Sequence, residues 1–215
     1  MHIKKSKGFT LSELMLGLLI SSILIIALLS FFTTNVSYYK NTININRLNL
    51  QLQTVLDLMT NEIRRAGYWA NASTDIGNST TNANPFMQIA TDIQTPLTNC
   101  ILLTYNSTGG VGVADTEKIG FRLNGGAIQG RPPTGPANFT CAAANNTWEN
   151  VTDKNLINIS NLTFTITSTA LPLNGTKVIN VRTVTISITG NLISNNAVSA
   201  TLTQFVRVRN DKYTP

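Results

Sequence analysis

Few side chains in this sequence could do acid–base or nucleophilic chemistry. Its 215 residues hold one histidine, two cysteines and ten carboxylates. The histidine is His2, inside a short basic leader, so a chain that loses this leader has no imidazole. That excludes Ser-His-Asp and Cys-His nucleophiles and histidine-ligated zinc. The carboxylates are few and scattered. Asp115-x-Glu117, after the glycine-rich stretch Gly109–Gly112, offers two oxygen ligands where calcium takes about six to eight, and turn chemistry explains the pair better. The expectation is no enzyme, no catalytic residues, no metal and no cofactor.

Cys100 and Cys141 stand too far apart for a Cys-x-x-Cys redox or metal motif. They are either two buried thiols or a disulfide closing a loop of about 40 residues, worth about 3–4 kcal/mol in the chain-entropy model. An N-terminus that directs export favours the disulfide.

One carboxylate sits where a charge is costly. Residues 9–32 form an apolar run of 24 residues whose single charge is Glu13. A helix of that length spans about 36 Å, enough to cross a hydrocarbon core of about 30 Å. A lone carboxylate in such a segment costs about 2.5–3.5 kcal/mol, so Glu13 requires a function and a partner. Lys4, Lys5 and Lys7 precede the run and supply half of the net charge of +6. By the positive-inside rule they keep the N-terminus cytoplasmic and send the rest outside. The run is too long for a cleaved secretory signal, and no small-x-small site follows it. The remaining basicity is spread thinly, with no stripe to neutralise phosphates; Arg207, Arg209 and Lys212 near the C-terminus give DNA binding little support.

The residues Gly8-Phe9-Thr10-Leu11-x-Glu13 resemble the class III (prepilin) signal of type IV pilins and type II secretion pseudopilins. The resemblance implies that a membrane-embedded prepilin peptidase cuts between Gly8 and Phe9 and methylates the new terminus at Phe9. It also implies that the Glu13 carboxylate pairs with the N-terminal amine of a neighbouring subunit during assembly. A buried carboxylate is tolerable when a cation neutralises it.

These residues need elements to carry them. Leu48, Leu52, Val55, Met59, Ile63 and Ala66 recur at steps of three and four, the stripe of an amphipathic helix. No proline interrupts residues 9–66, which predicts one helix about 87 Å long. Gly67 after Arg64-Arg65-Ala66 supplies a stop. Residues 70–98 and 130–150 read as irregular. Apolar runs at Cys100–Tyr105 and Glu117–Leu123 predict strands, and Asn124-Gly125-Gly126 predicts a tight hairpin turn. Alternation around residues 162–167, 183–188 and 201–209 predicts three antiparallel strands with one face on a core. The helical stripe is the natural cover for that face, giving an α+β domain in which a long N-terminal helix packs on an antiparallel sheet.

A second block resembles the PilW-type minor pilins: Asn61-Glu62-Ile63-Arg64-Arg65-Ala66-Gly67-Tyr68-Trp69. Cys100–Tyr105, Glu117–Leu123, Gly126–Gln129 and Trp148–Asp153 resemble that family more loosely. The resemblance implies residues 1–8 as leader, 9–32 as transmembrane and filament-core helix, 33–66 as its amphipathic continuation, and 67–215 as an extracytoplasmic β-rich domain. It implies a minor pilin of the bacterial inner membrane and extracellular pilus. Its partners would be other minor and major pilins, the prepilin peptidase and the inner-membrane assembly platform. A J-type type II secretion pseudopilin, an adhesive or DNA-capturing tip subunit, and a plain anchored periplasmic domain whose signal is coincidental are the other readings.

Overall fold

Threonine, serine and asparagine punctuate the apolar N-terminal helix, yet their side chains do not break it. In the computed structural model, which describes residues 8–75, 85–88, 92–110, 112–132, 139–142, 148–175 and 177–214, helix α1 spans Leu11–Arg65. Ser21 and Ser22 donate their hydroxyls back to the carbonyls of Leu18 and Leu19, and Thr33 and Thr34 to Ser30. Hydroxyls satisfied within their own helix need no water, as a hydrocarbon environment demands. Glu13 in the first turn and Arg64 and Arg65 in the last complement the helix dipole. Lys4, Lys5, Lys7 and His2 lie outside the described residues.

The chain divides into two compact units, residues 1–45 and 46–215. In the first, the apolar residues from Leu11 to Phe32 are exposed all round the helix, with none of the most apolar window buried. A helix apolar on every side belongs in a membrane or a protein core.

In the second unit the helix turns amphipathic. All six stripe residues are buried, joined by Leu56. They form one core with two antiparallel sheets. The first sheet is a five-stranded meander of β1 (Ile93–Leu97), β2 (Cys100–Thr104), β3 (Lys118–Asn124), β4 (Ala127–Arg131) and β5 (Glu149–Asn150). The second contains β6 (Ile157–Pro172), β7 (Val178–Leu192) and β8 (Ser199–Arg207), with β9 (Lys212–Thr214) pairing the start of β7. Val184, Ile186 and Ile188 of β7 enter the core while Thr183, Thr185 and Ser187 face the other way, as their alternation predicts. β2 is buried on both faces, with Ile101 and Leu103 in the main core and Cys100 and Leu102 beneath the segment of Cys141 and Trp148. That is why it reads as an unbroken apolar run.

The Asn124–Ala127 hairpin forms as expected. Gly125 and Gly126 both take positive φ, 56° and 75°, the requirement of a two-residue type I′ loop. Its tip docks on the second sheet, where Ile159 N–H donates to the Gly126 carbonyl at 2.8 Å. The β1–β2 turn docks similarly, Phe164 N–H donating to Thr98 at 2.9 Å.

Three strands escaped the sequence reading. β1 lies in the stretch read as loop; its Pro96 is tolerated because β1 is a sheet edge and its register slips between Gln94 and Leu97. β5 and β9 have two and three residues, too short for periodicity to register. The described part of residues 130–150 is correspondingly less irregular than expected, with β4 running on to Arg131. The helix falls short of the expected 9–66 by two residues at its start and one at its end.

Candidate functional site: the start of the helix and the joint at its end

Gly8, Phe9 and Thr10 precede the helix in open backbone. Gly8 has no neighbour within 4 Å of where a Cβ would stand, and Phe9 is 88% exposed. Glu13 lies one turn on and turns back toward the terminus. Its Oε2 accepts the Thr10 backbone N–H at 2.9 Å and the Thr10 hydroxyl at 2.9 Å, while its own N–H points at that hydroxyl at 3.4 Å. This is a reciprocal capping box: Thr-x-x-Glu satisfies orphan donors at a helix start. The pattern Thr10-Leu11-Ser12-Glu13 is the sequence signal for it. Glu13 Oε1 accepts no bond among the described residues.

The block at the other end of α1 is a joint. Gly67 follows the helix with φ 72°, and its N–H donates to the Thr104 carbonyl at the end of β2. Asn106 N–H donates to Tyr68, Ala70 N–H returns to Asn106, and Trp69 forms a parallel bridge with Asn106. Arg65 lies over the Tyr105 ring at 4.2 Å and pairs with Glu62. Asn210 donates its amide to the Ala66 carbonyl, tying in the C-terminal region. Asp92, buried beside Gly67, pairs with buried Arg182, which also donates to the Asn210 carbonyl. Sequence reading had no route to the Asp92–Arg182 pair, whose members are 90 residues apart.

Cys100 and Cys141 form a disulfide, with Cα atoms 6.3 Å apart. Arg122 anchors the same segment: it donates to the Cys141 carbonyl at 2.8 Å and lies 4.4 Å from the Trp148 ring centroid. Burial pulls its guanidinium below its ordinary pKa.

Glu117 and Asp115 do not converge on a cation site. Glu117 is 2% exposed and accepts the N–H groups of Ser107, Thr108 and Ala114 and the Ser107 hydroxyl. Burial pushes its pKa up, but the hydrogen bonds from Ala114, Ser107 and Thr108 outweigh it and the net shift is downward. Asp115 pairs instead with Lys118 at 2.7 Å. No group of three or more His, Cys, Asp or Glu gathers among the described residues. Arg207 of the C-terminal basic cluster is paired with Asp211 at 3.0 Å.

The start of the helix is thus an exposed, capped terminus on an apolar helix, and its end is bonded into a disulfide-linked β domain. Comparison with known families finds the same division. Residues 3–29 match the prokaryotic N-terminal methylation motif. Residues 41–208 match the family model described as prepilin peptidase-dependent protein B. Neither a curated protein nor a solved structure matches the chain. With a match over most of its length on top of the methylation motif, this chain belongs to the prepilin peptidase-dependent protein B family and is a pilin-like protein.

Proposed function

We propose that this protein is a minor pilin of a type IV pilus that primes filament assembly or sits at its tip. In this reading prepilin peptidase cleaves between Gly8 and Phe9 and methylates Phe9. The apolar part of α1 holds the subunit in the inner membrane, N-terminus cytoplasmic, until it is drawn into the filament core. The β domain contacts other minor and major pilins outside the membrane, and the assembly platform acts on the membrane helix.

The observation that carries the proposal is Glu13. Its Oε2 closes the cap on the first turn, and among the described residues its Oε1 meets no donor on an exposed apolar helix. A carboxylate held in place by its own backbone is pre-oriented to receive an amine from a neighbouring helix. The block Asn61–Trp69, which resembles PilW-type minor pilins, forms the joint between helix and sheet, and this supports the minor-pilin assignment over a plain membrane anchor.

Quantitative mass spectrometry of sheared surface filaments and of the inner-membrane fraction tests the reading through the N-terminal peptide. Methylated Phe9 in the filaments, at trace ratio to a major pilin, is the expected result. Processed protein confined to the membrane would favour a J-type pseudopilin. An intact Met1 terminus would overturn the processing step itself.

A further inference from the structure

Among the described residues, the outer edge of β6 is open along its second half. The first half is covered, because Ile159 and Phe164 donate their outward N–H groups to the turns of the first sheet. β6 pairs with β7 without interruption from Asn161 to Pro172, so the two-residue repeat points the N–H and C=O groups of Ile166, Ser168 and Ala170 to the same outer side as Phe164 N–H. Among the described residues these groups meet no partner. Natural edges are guarded by charge, proline or bulges. Here no charged residue lies between Lys154 and Lys177, the bulge falls in the covered half, and Pro172 comes only at the end.

We infer that this edge pairs antiparallel with the same edge of a second copy of the chain, about a two-fold axis at Ser168. The edge is self-complementary in that register. Ile166 meets Ala170 of the second copy, Thr167 meets Thr169, and Ser168 meets itself, so apolar faces apolar and hydroxyl faces hydroxyl. No like charges oppose one another. A short strand pair falls well below the area of about 1,600 Å² that a stable interface in solution buries. The apolar helix supplies the remainder by confining copies to one bilayer and raising their effective concentration. The inference rests on membrane anchoring and is independent of the minor-pilin reading.

The test is oxidative crosslinking of the full chain in membranes. Cys100 and Cys141 are already joined, so Ser168→Cys introduces the sole free thiol. Across a hydrogen-bonded antiparallel pair the Cα atoms stand about 5.5 Å apart, within disulfide reach. A dimer of twice the chain mass is expected from Ser168→Cys and not from Thr201→Cys, on the exposed face of β8. Adding Ala170→Pro removes an outward N–H without touching the ladder to β7 and should lower the dimer about tenfold or more. Thr169→Lys, which sets a charge on the edge, should do the same with no backbone change. Three results would each overturn the inference: no dimer although the thiol reacts with a maleimide probe, equal dimer from Thr201→Cys, or an adduct whose mass shows a different subunit.

Discussion

Glu13 does two separable things in this account, and one substitution separates them. It caps its own helix through Oε2 and, by the proposed function, neutralises an amine of a neighbouring subunit. Glu13→Gln keeps an oxygen for the Thr10 N–H and hydroxyl, since Gln serves a capping box as Glu does. It removes the charge. Insertion should not suffer, because a neutral amide replaces a carboxylate whose burial costs about 2.5–3.5 kcal/mol. Assembly should suffer severely, because taking one partner from a buried ion pair strands the other at about 3–5 kcal/mol. At about 1.4 kcal/mol per decade, that is a loss of roughly 10²- to 4 × 10³-fold in filament incorporation. Thr10→Val makes the complementary change. It keeps the carboxylate and the backbone bond and removes the hydroxyl, costing about 1 kcal/mol of cap and less than about tenfold in incorporation. The assay is the ratio of filament to membrane protein by mass spectrometry, with N-terminal processing read from the same samples. Glu13→Gln incorporating at the parent level with normal processing would refute the pairing. Thr10→Val failing as badly as Glu13→Gln would show that the Thr10 hydroxyl matters as much as the charge, against the expected ranking.

Other outcomes follow from the second unit, read as thermal unfolding of the full chain in detergent. Cys100→Ser with Cys141→Ser opens a loop spanning a sequence separation of 41 residues and should cost about 4 kcal/mol; a shift of under 1 °C would show that Arg122 and Trp148 hold the segment unaided. Glu117 has a folded pKa below its unfolded value of about 4.3, so its stabilisation is present above that pH and is lost as pH falls through the folded pKa. Acid unfolding should therefore be flatter below about pH 4.3 in Glu117→Gln, which should also be less stable at neutral pH by about 1–3 kcal/mol; unchanged curves would count against the cradle. Gly67→Ala forces a side chain into positive φ and sets its Cβ 2.6 Å from Asp92 Oδ2, which Arg182 holds in place. It should cost about 2–4 kcal/mol, and a variant as stable as the parent would contradict the joint described above.

What local pattern encodes, the sequence carried openly. The stripe Leu48 to Ala66 is a helical period and all of it is buried, because an amphipathic helix can hide only one face. The Asn124-Gly125-Gly126 turn needed only local φ preferences. The prepilin signal was legible because it is linear, read by an enzyme from adjacent residues, and Glu13 stood out because an isolated charge in an apolar run has no cheap explanation. The pairing of the two cysteines was open in the sequence and became definite only when β2 and the segment of Cys141 came together.

Contacts between distant residues left no such trace. The Asp92–Arg182 pair, the Arg122–Trp148 contact and the Glu117 cradle each join residues whose neighbours predict nothing of the partner. β1 hid behind a proline because its edge position, which makes proline harmless, is a property of the sheet and not of the strand. The open side of β6 belongs to the same class. Sequence alone determined that this chain has a processing signal, an apolar helix, a stripe and alternating strands, since each is a local pattern of neighbouring residues. Only the tertiary structure decided which half of β6 is covered, since that depends on what long-range folding brings, or fails to bring, within hydrogen-bond reach among the described residues.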